Sequence, residues 1–455
     1  MQLTESFVSL LQEFRCVFTS PSFVSFLSLM SGWILSCRHR YVTELIQSSD
    51  CTRKGHHSRY HRFFSAAAWC LDTLCCVLAR LLVKVFASTG VIELAIDDTL
   101  CRKRGLTVYG TGMHHDPLLS SRAMKLVSWG HDWVVLCLIV RLPFWSPTKV
   151  WALPIGFRLY RNRQGLTKGK KGKKAKASKA KPKGHRTRPE LAVELISLLA
   201  SWFPERRLLV TGDSAYGGKS VLGKLPGHVD LISHVHPKGA LYAPAPAPRP
   251  TDKGRRRKKG ERLPAMAEWA ADASQPWRTL KFDQFGLHAT LQVKTRKALY
   301  YKAGKDRLLT IVLVHDALGK RPDQMFYCTC LDWDARTILG FYAGRWSIEV
   351  TFENSKQLLG LEDPANRTEK AVQRTAPMAL VLYSLSVLWF HLRGHGHVEF
   401  PHRPWYRKKV EPSFADVLST LRHQSWLEQK RRVQSKTALL KKFLAQLLRF
   451  VSRAG

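Results

Sequence analysis

Asp97 and Asp98 close the run VIELAIDD, Asp213 closes LLVTGD, and Glu349 lies in YAGRWSIEVTFENSK. Each sits where an apolar run ends or a helix face turns inward, and carboxylates at strand ends commonly face a shared cleft in an α/β sheet. Converging anions repel one another and raise each other's pKa unless a cation compensates. Carboxylate oxygens are hard ligands, so Mg²⁺ or Mn²⁺ is the expected cation, with water and phosphate oxygens completing its shell. Two such ions about 4 Å apart would activate an attacking oxygen and stabilise a leaving one in an in-line phosphodiester displacement.

The segment around Glu349 reads as a helix whose face can be computed. At about 100° per residue, Tyr342, Arg345, Glu349 and Lys356 fall near about 0°, −60°, −20° and −40°, one narrow stripe. A carboxylate for metal, flanked by two cations for phosphate oxygens and a phenol donor, suits phosphoryl transfer. The competing interpretation is a solvated helix face with i,i+4 pairs. Glu353, one turn beyond Glu349, is the alternative ligand.

The spacing Y-x2-R-x3-E-x6-K resembles, without a gap, the signature of transposases of the insertion-sequence-four superfamily, a DDE class with a retroviral-integrase-like core. IDDT matches that family's first aspartate with its following Thr, and TGDSAYGG its second. The likeness spans about residues 55 to 395 in element order and is strongest toward its end. It implies that Asp97 or Asp98, Asp213 and Glu349 hold two metal ions. It further implies that Tyr342, Arg345 and Lys356 bind phosphates at a transposon end, and that Trp333, in LDWDART, stacks on a flipped base. Packing in a core is the ordinary use of such a tryptophan. The implied reaction is hydrolysis at transposon ends followed by attack of the freed 3′-hydroxyl on target DNA. A nuclease that stops at hydrolysis and a silent DNA-binding relic are the alternatives.

Strand alternation sends Asp97 and Asp98 to opposite faces, so only one can face Asp213 and Glu349. Asp97 is preferred because Thr99 shares its face; aligning AIDDT on acid-Asp-Thr points instead to Asp98. GDSAYGGKS falls short of a nucleotide-binding loop, because Gly212 and Gly218 are separated by five residues where four are required. His56, His57, His61, His114 and His115 lack cysteine partners at zinc spacing and read as phosphate or loop contacts.

The elements that position these groups follow from periodicity. Residues 1–88 carry helical apolar spacing with basic interruptions such as TRKGHHSRYHR and read as a helical DNA-binding region. VIELAIDD, WVVLCLIV and WALPIGFRLY read as three strands of one sheet, followed by a helix (PELAVELISLLASWF) and a fourth strand (RRLLVTGD). The expected class is α/β, a ribonuclease-H-like catalytic core over 89–395. It is interrupted by a basic loop at 161–188 and a β-rich insertion at about 236–335. The separation of 136 positions from Asp213 to Glu349 leaves room for that insertion. Residues 336–360 and 369–393 read as two long helices, and 396–455 as a basic helical region.

Lys and Arg number 73 against 34 Asp and Glu, a net charge of +39. Such a chain repels itself unless a polyanion neutralises it, and nucleic acid is the obvious one. The loop TKGKKGKKAKASKAKPKGHRTR reads as a solvated tether that contacts phosphates. A second basic run, Arg255 to Lys259, has the same character. Ten scattered cysteines without paired CxxC spacing fit a reducing cytoplasm. AAAWCLDTLCCVLARLLVKVF is interrupted by charges and reads as a core helix, and PMALVLYSLSVLWFHL is shorter than the roughly 20 residues of a membrane span. The expectation is a cytoplasmic, nucleoid-associated bacterial protein that binds DNA and no membrane, as a homodimer when two ends are joined.

Overall fold

The computed structural model describes residues 3–445 apart from 52–54, 122, 142, 163–183, 248–255, 285–286, 320, 402–403, 405–408, 434–437 and 443. Most of the basic tether and Arg255 therefore lie outside the described residues. Within them the apolar alternation builds a ten-stranded sheet, ordered β2-β3-β1-β5-β6-β10-β9-β8-β7, with β4 also on β3. The strands are β1 (Ile92–Arg102), β2 (Gly112–His115), β3 (Val127–Arg141), β4 (Val150–Tyr160), β5 (Leu208–Gly212), β6 (Val229–His234), β7 (Arg278–Gln284), β8 (Leu287–Leu299), β9 (Leu308–Asp316) and β10 (Gln324–Cys328).

β1 pairs antiparallel with β3, and β3 with β4, while β1, β5 and β6 run parallel. The strands of the β-rich stretch do not fold away from this core. β10 adds antiparallel to β6, and β9, β8 and β7 continue the same sheet. β2 and β7 are short strands that periodicity did not single out.

The amino-terminal helices are α1 (Glu5–Gln12), α2 (Ser20–Leu35), α3 (Val42–Ser48), α4 (Ser58–Ser65) and α5 (Leu71–Phe86), of which α5 packs on β3 and β4. α5 is the charge-interrupted apolar run, with Leu74, Cys75, Leu78 and Leu82 buried. These helices share one continuous apolar core with the sheet and the carboxy-terminal helices. The Trp33 indole N–H donates to the Leu359 carbonyl (2.8 Å).

α6 (Arg188–Trp202) starts with a capping box: Thr187 accepts from the Glu190 N–H, and Glu190 accepts from the Thr187 N–H. Reciprocal satisfaction of two end donors explains why the helix begins there. The short helices α7 (Lys219–Leu222), α8 (Met266–Ala271) and α9 (Tyr301–Gly304) follow.

The segment 336–360, expected as one helix, is two: α10 (Ala335–Gly344) and α11 (Ser347–Leu359). Arg345 and Trp346 keep right-handed backbone angles, but their N–H groups bond to the carbonyls three residues back, Tyr342 and Ala343. This tight turn breaks the α-helical ladder. α11 ends at Gly360, whose φ of +60° is left-handed; a Cβ there would meet the Asp363 carboxylate at 2.2 Å.

α12 (Glu369–Trp389) runs on through a π-turn and a 3₁₀ turn to His397. These 29 residues are long and apolar enough to cross a membrane, longer than the apolar run alone suggested, yet 89% of the apolar window is buried inside the fold. The Ser384 hydroxyl reaches the Pro154 carbonyl on β4 (2.8 Å), and Tyr383 stacks on Phe414 of α13 (Phe414–Val433). The carboxy-terminal helix thus begins later than residue 396.

Candidate metal and nucleic-acid site

The parallel register of β1 and β5 pairs Ile96 with Gly212, so Asp97 and Asp213 are the next residues of two adjacent strands. Both belong to the sheet face covered by α10 and α11. On that face Arg345 Nη1 lies 2.6 Å from Asp97 Oδ2, and Arg345 Nη2 lies 3.5 Å from Glu349 Oε1. Burial pushes the Asp97 carboxyl up to about 7; Arg345 opposes the rise, and the negative charges of Asp98 and Asp213 add to it. Burial also raises Glu349, against the pull of Arg345, with Asp213 as a further repulsive neighbour. One guanidinium is thus set among three carboxylates.

Local hydrogen bonds fix each acid. The Asp98 N–H donates to Asp97 Oδ1 (2.9 Å), and the Ala215 N–H donates to Asp213 Oδ1 (2.9 Å). The Ser233 hydroxyl of β6 donates to the Asp213 carbonyl (2.7 Å), tying the Asp213 loop to the next strand. Tyr342 packs its ring edge-on against His234 and Phe326, with centroids 4.9 and 4.8 Å away, and the Arg345 guanidinium lies 5.6 Å from its centroid. Burial raises the Tyr342 phenol, so it remains a proton-bearing donor.

Asp98 takes the opposite face. It accepts from the Tyr216 hydroxyl (2.6 Å) and lies 3.3 Å from Arg188 Nε, which also donates to Asp132 Oδ2 (2.5 Å). His114 Nδ1 is 3.6 Å from Asp132, and burial lowers that histidine to about 4, so His114 is neutral at pH 7. Arg188, Tyr216 and Asp132 escaped the sequence reading: the first resembles tether, the others ordinary loop and strand. Glu353 is exposed and accepts from the Gln357 amide, away from the acids.

Lys356 does not join the acid cluster. Its ammonium donates to the Leu100 carbonyl of β1 (2.7 Å), three residues beyond Asp97. The tight turn at Arg345 and Trp346 offsets α11 from the single helical stripe. Trp333 is half-buried, with the Phe341 ring centroid at 4.9 Å and the Arg207 guanidinium at 5.3 Å.

A second layer holds the turn that carries Arg345. Glu93, on the same face of β1 as Asp97, accepts from Arg141 Nε (2.6 Å). Arg141 Nη2 donates to the Gly340 and Phe341 carbonyls (3.2 and 3.4 Å). The Phe341 carbonyl is the one that Arg345 N–H abandons in bonding to Tyr342. A Cβ on Gly344 would stand 3.0 Å from Arg141 Nη2, so glycine gives the guanidinium its approach.

Three carboxylates supply the hard oxygen donors that a divalent ion takes. In the described residues no three acid, His or Cys groups yet converge on one point, because Arg345 stands between Asp97 and Glu349. The donor chemistry fits a divalent cation, and occupation requires the guanidinium to give way.

Strand-end carboxylates here lie beneath a helical segment that offers a cation, a phenol and a third carboxylate, a set of groups that phosphoryl-transfer chemistry uses. The family described as DDE superfamily endonuclease matches residues 14–302, and the chain belongs to it. It is accordingly a nuclease-type enzyme acting on DNA, from a superfamily that generally uses divalent metal ions. The match covers Asp97, Asp98 and Asp213 and ends before α10. Among curated proteins none matches the chain.

Proposed function

We propose that the protein is a DDE transposase of the insertion-sequence-four type, with Asp97, Asp213 and Glu349 as ligands of two Mg²⁺ or Mn²⁺ ions. The observation that carries this reading is Arg345 bonded to both Asp97 and Glu349, with Asp213 at the neighbouring strand end. When bound, the ions supply Lewis-acid activation of water or a 3′-hydroxyl and stabilise the leaving oxygen. Arg345, displaced from the acids, takes a phosphate oxygen in a charge-assisted bond. Tyr342 donates its hydroxyl, and Lys356 contacts the DNA end.

The order β4-β3-β1-β5-β6, three antiparallel strands followed by parallel ones, supports a ribonuclease-H-like core within 89–395. The 161–188 loop and the helices of 1–88 and 396–455 add DNA contacts. Two copies act when two ends are joined. The cytoplasm of a bacterial cell, on the nucleoid, is the setting that this work requires.

The test supplies a pre-cut duplex with a free 3′-hydroxyl, a target plasmid and Mg²⁺. Joined products are expected from the wild type and none from Glu349→Gln, which removes a metal ligand while leaving the cationic contacts and DNA binding in place. Cleavage without joining makes the protein a nuclease that stops at hydrolysis. Full cleavage by Glu349→Gln removes Glu349 from the site.

A further inference from the structure

Beyond the acids, the sheet face that carries them continues across β5, β6, β10 and β9 to β8 and β7. Cross-strand register places Arg278 opposite Val293 and Lys297 opposite Thr310, so Arg278, Val293, Thr295 and Lys297 project to one side. Val293 packs in the apolar cluster with Ile338 and Leu339 of α10, which identifies that side as the face holding the catalytic helices. Here Arg278, Lys297, Thr295, Thr310, Trp333 and Arg336 line a cleft of about 300 Å³.

Positive charge is in excess in this cleft. Arg278 and Lys297 are exposed, and their side chains have no hydrogen-bond or ion-pair partner among the described residues. Arg336 has only the through-space attraction of Asp334. Asp334, the acid lining the cleft, is committed to capping α10 through the Thr337 N–H (2.9 Å). With Arg296, which also lines the cleft and lies over Trp269, these make four cations against the one carboxylate of Asp334, an excess of positive charge that favours an anion between them. Trp333 is already engaged by Phe341 and Arg207, so it forms a wall and leaves the cations to define the ligand.

We infer that this cleft binds the sugar–phosphate backbone of the DNA on which the acids act, at a distance from the cut. The inference rests on the nuclease activity proposed for the acid cluster. Five strand spacings of about 4.8 Å separate β1 from β8. The nine residues from Arg336 to Arg345 rise about 14 Å along the helix. These are two measures of one separation, about 14 to 24 Å, which corresponds to roughly four to seven base pairs at about 3.4 Å each. The cleft therefore grips a flank and leaves the reacting phosphate to the acids.

The experiment compares wild type with Arg278→Gln/Lys297→Gln/Arg336→Gln on a duplex of about 30 base pairs, measuring affinity against salt by fluorescence anisotropy. Three lost phosphate contacts flatten the slope of log K against log salt by about 2.7. Metal-dependent cleavage at saturating DNA stays unchanged, and the melting temperature confirms folding of these exposed substitutions. A photo-crosslinker on Lys297→Cys marks a nucleotide roughly four to seven from the cut that the protein itself makes. An unchanged slope overturns the assignment. So does protection of the wild type, but not the triple variant, by inorganic phosphate with no change in slope, which makes the cleft a small-anion site. If the wild type cuts no DNA, the proposed reaction fails, while the slopes still report on the cleft.

Discussion

Arg345 Nη1 stands 2.6 Å from Asp97 Oδ2, so a cation of the helical turn neutralises the central acid of the sheet. Asp97 nonetheless titrates at about 7, because burial and the charges of Asp98 and Asp213 outweigh the guanidinium. A carboxyl raised above its unfolded value of about 3.9 favours folding while protonated and loses that contribution as pH rises through its folded pKa. Metal-free protein should therefore lose stability as pH rises from about 4 to about 7, levelling off above that, and Mg²⁺ should raise the melting temperature more at pH 8 than at pH 6. Scanning calorimetry with and without Mg²⁺ measures both. Equal stabilisation at the two pH values would detach Asp97 from metal binding.

The two neighbouring aspartates should separate in single-turnover cleavage with Mg²⁺ and Mn²⁺. Asp97→Asn is expected to lose several orders of magnitude in rate, on the order of the 10³-fold or greater effects of removing transition-state stabilisation. Asp98→Asn should give a milder rate defect and a lower melting temperature, since Tyr216 and Arg188 lose a charged partner. The reverse ranking would exchange their roles.

Arg141 should act on the reaction without touching DNA. Its bonds to Glu93 and to the Gly340 and Phe341 carbonyls hold the turn from which Arg345 projects. Arg141→Gln breaks this bridge, and a displacement near 1 Å costs about 100-fold in rate. DNA affinity and its salt slope should not move. Glu93→Gln retains an acceptor for Arg141 and should cost less. Wild-type rates in Arg141→Gln would leave the bridge a packing feature only.

Lys356 spends one of its three donors on the Leu100 carbonyl and keeps two for phosphate. Lys356→Ala should lower the salt slope of DNA binding by about 0.9 for one lost contact. It should also lower stability by about 1 kcal/mol for the lost hydrogen bond. A lower melting temperature with an unaltered slope would assign the lysine to the fold alone.

Much of this architecture is written in short stretches of sequence. Apolar, β-branched runs mark β1, β3, β4 and β5, the run PELAVELISLLASWF marks α6, and the spacing from Tyr342 to Lys356 marks the helical segment that faces the acids. Alternation alone also states that Asp97 and Asp98 point apart. Which of them meets Arg345 depends on which sheet face α10 and α11 cover, and that is decided by packing between residues more than 200 positions apart. The same holds for the helix break. Nothing within YAGRWSIE forbids a continuous helix; Arg141, held by Glu93, satisfies the Phe341 carbonyl that the tight turn releases. The turn then offsets Lys356 from the acids and toward β1. Likewise, Arg278, Lys297 and Arg336 lie on three separate segments, and only strand register and helix docking line them along one cleft. Local periodicity records how each segment folds because its hydrogen bonds and apolar faces repeat within a few residues. The partners of a charge are chosen by long-range burial, where desolvation makes every unpaired ion costly and so determines which groups must meet.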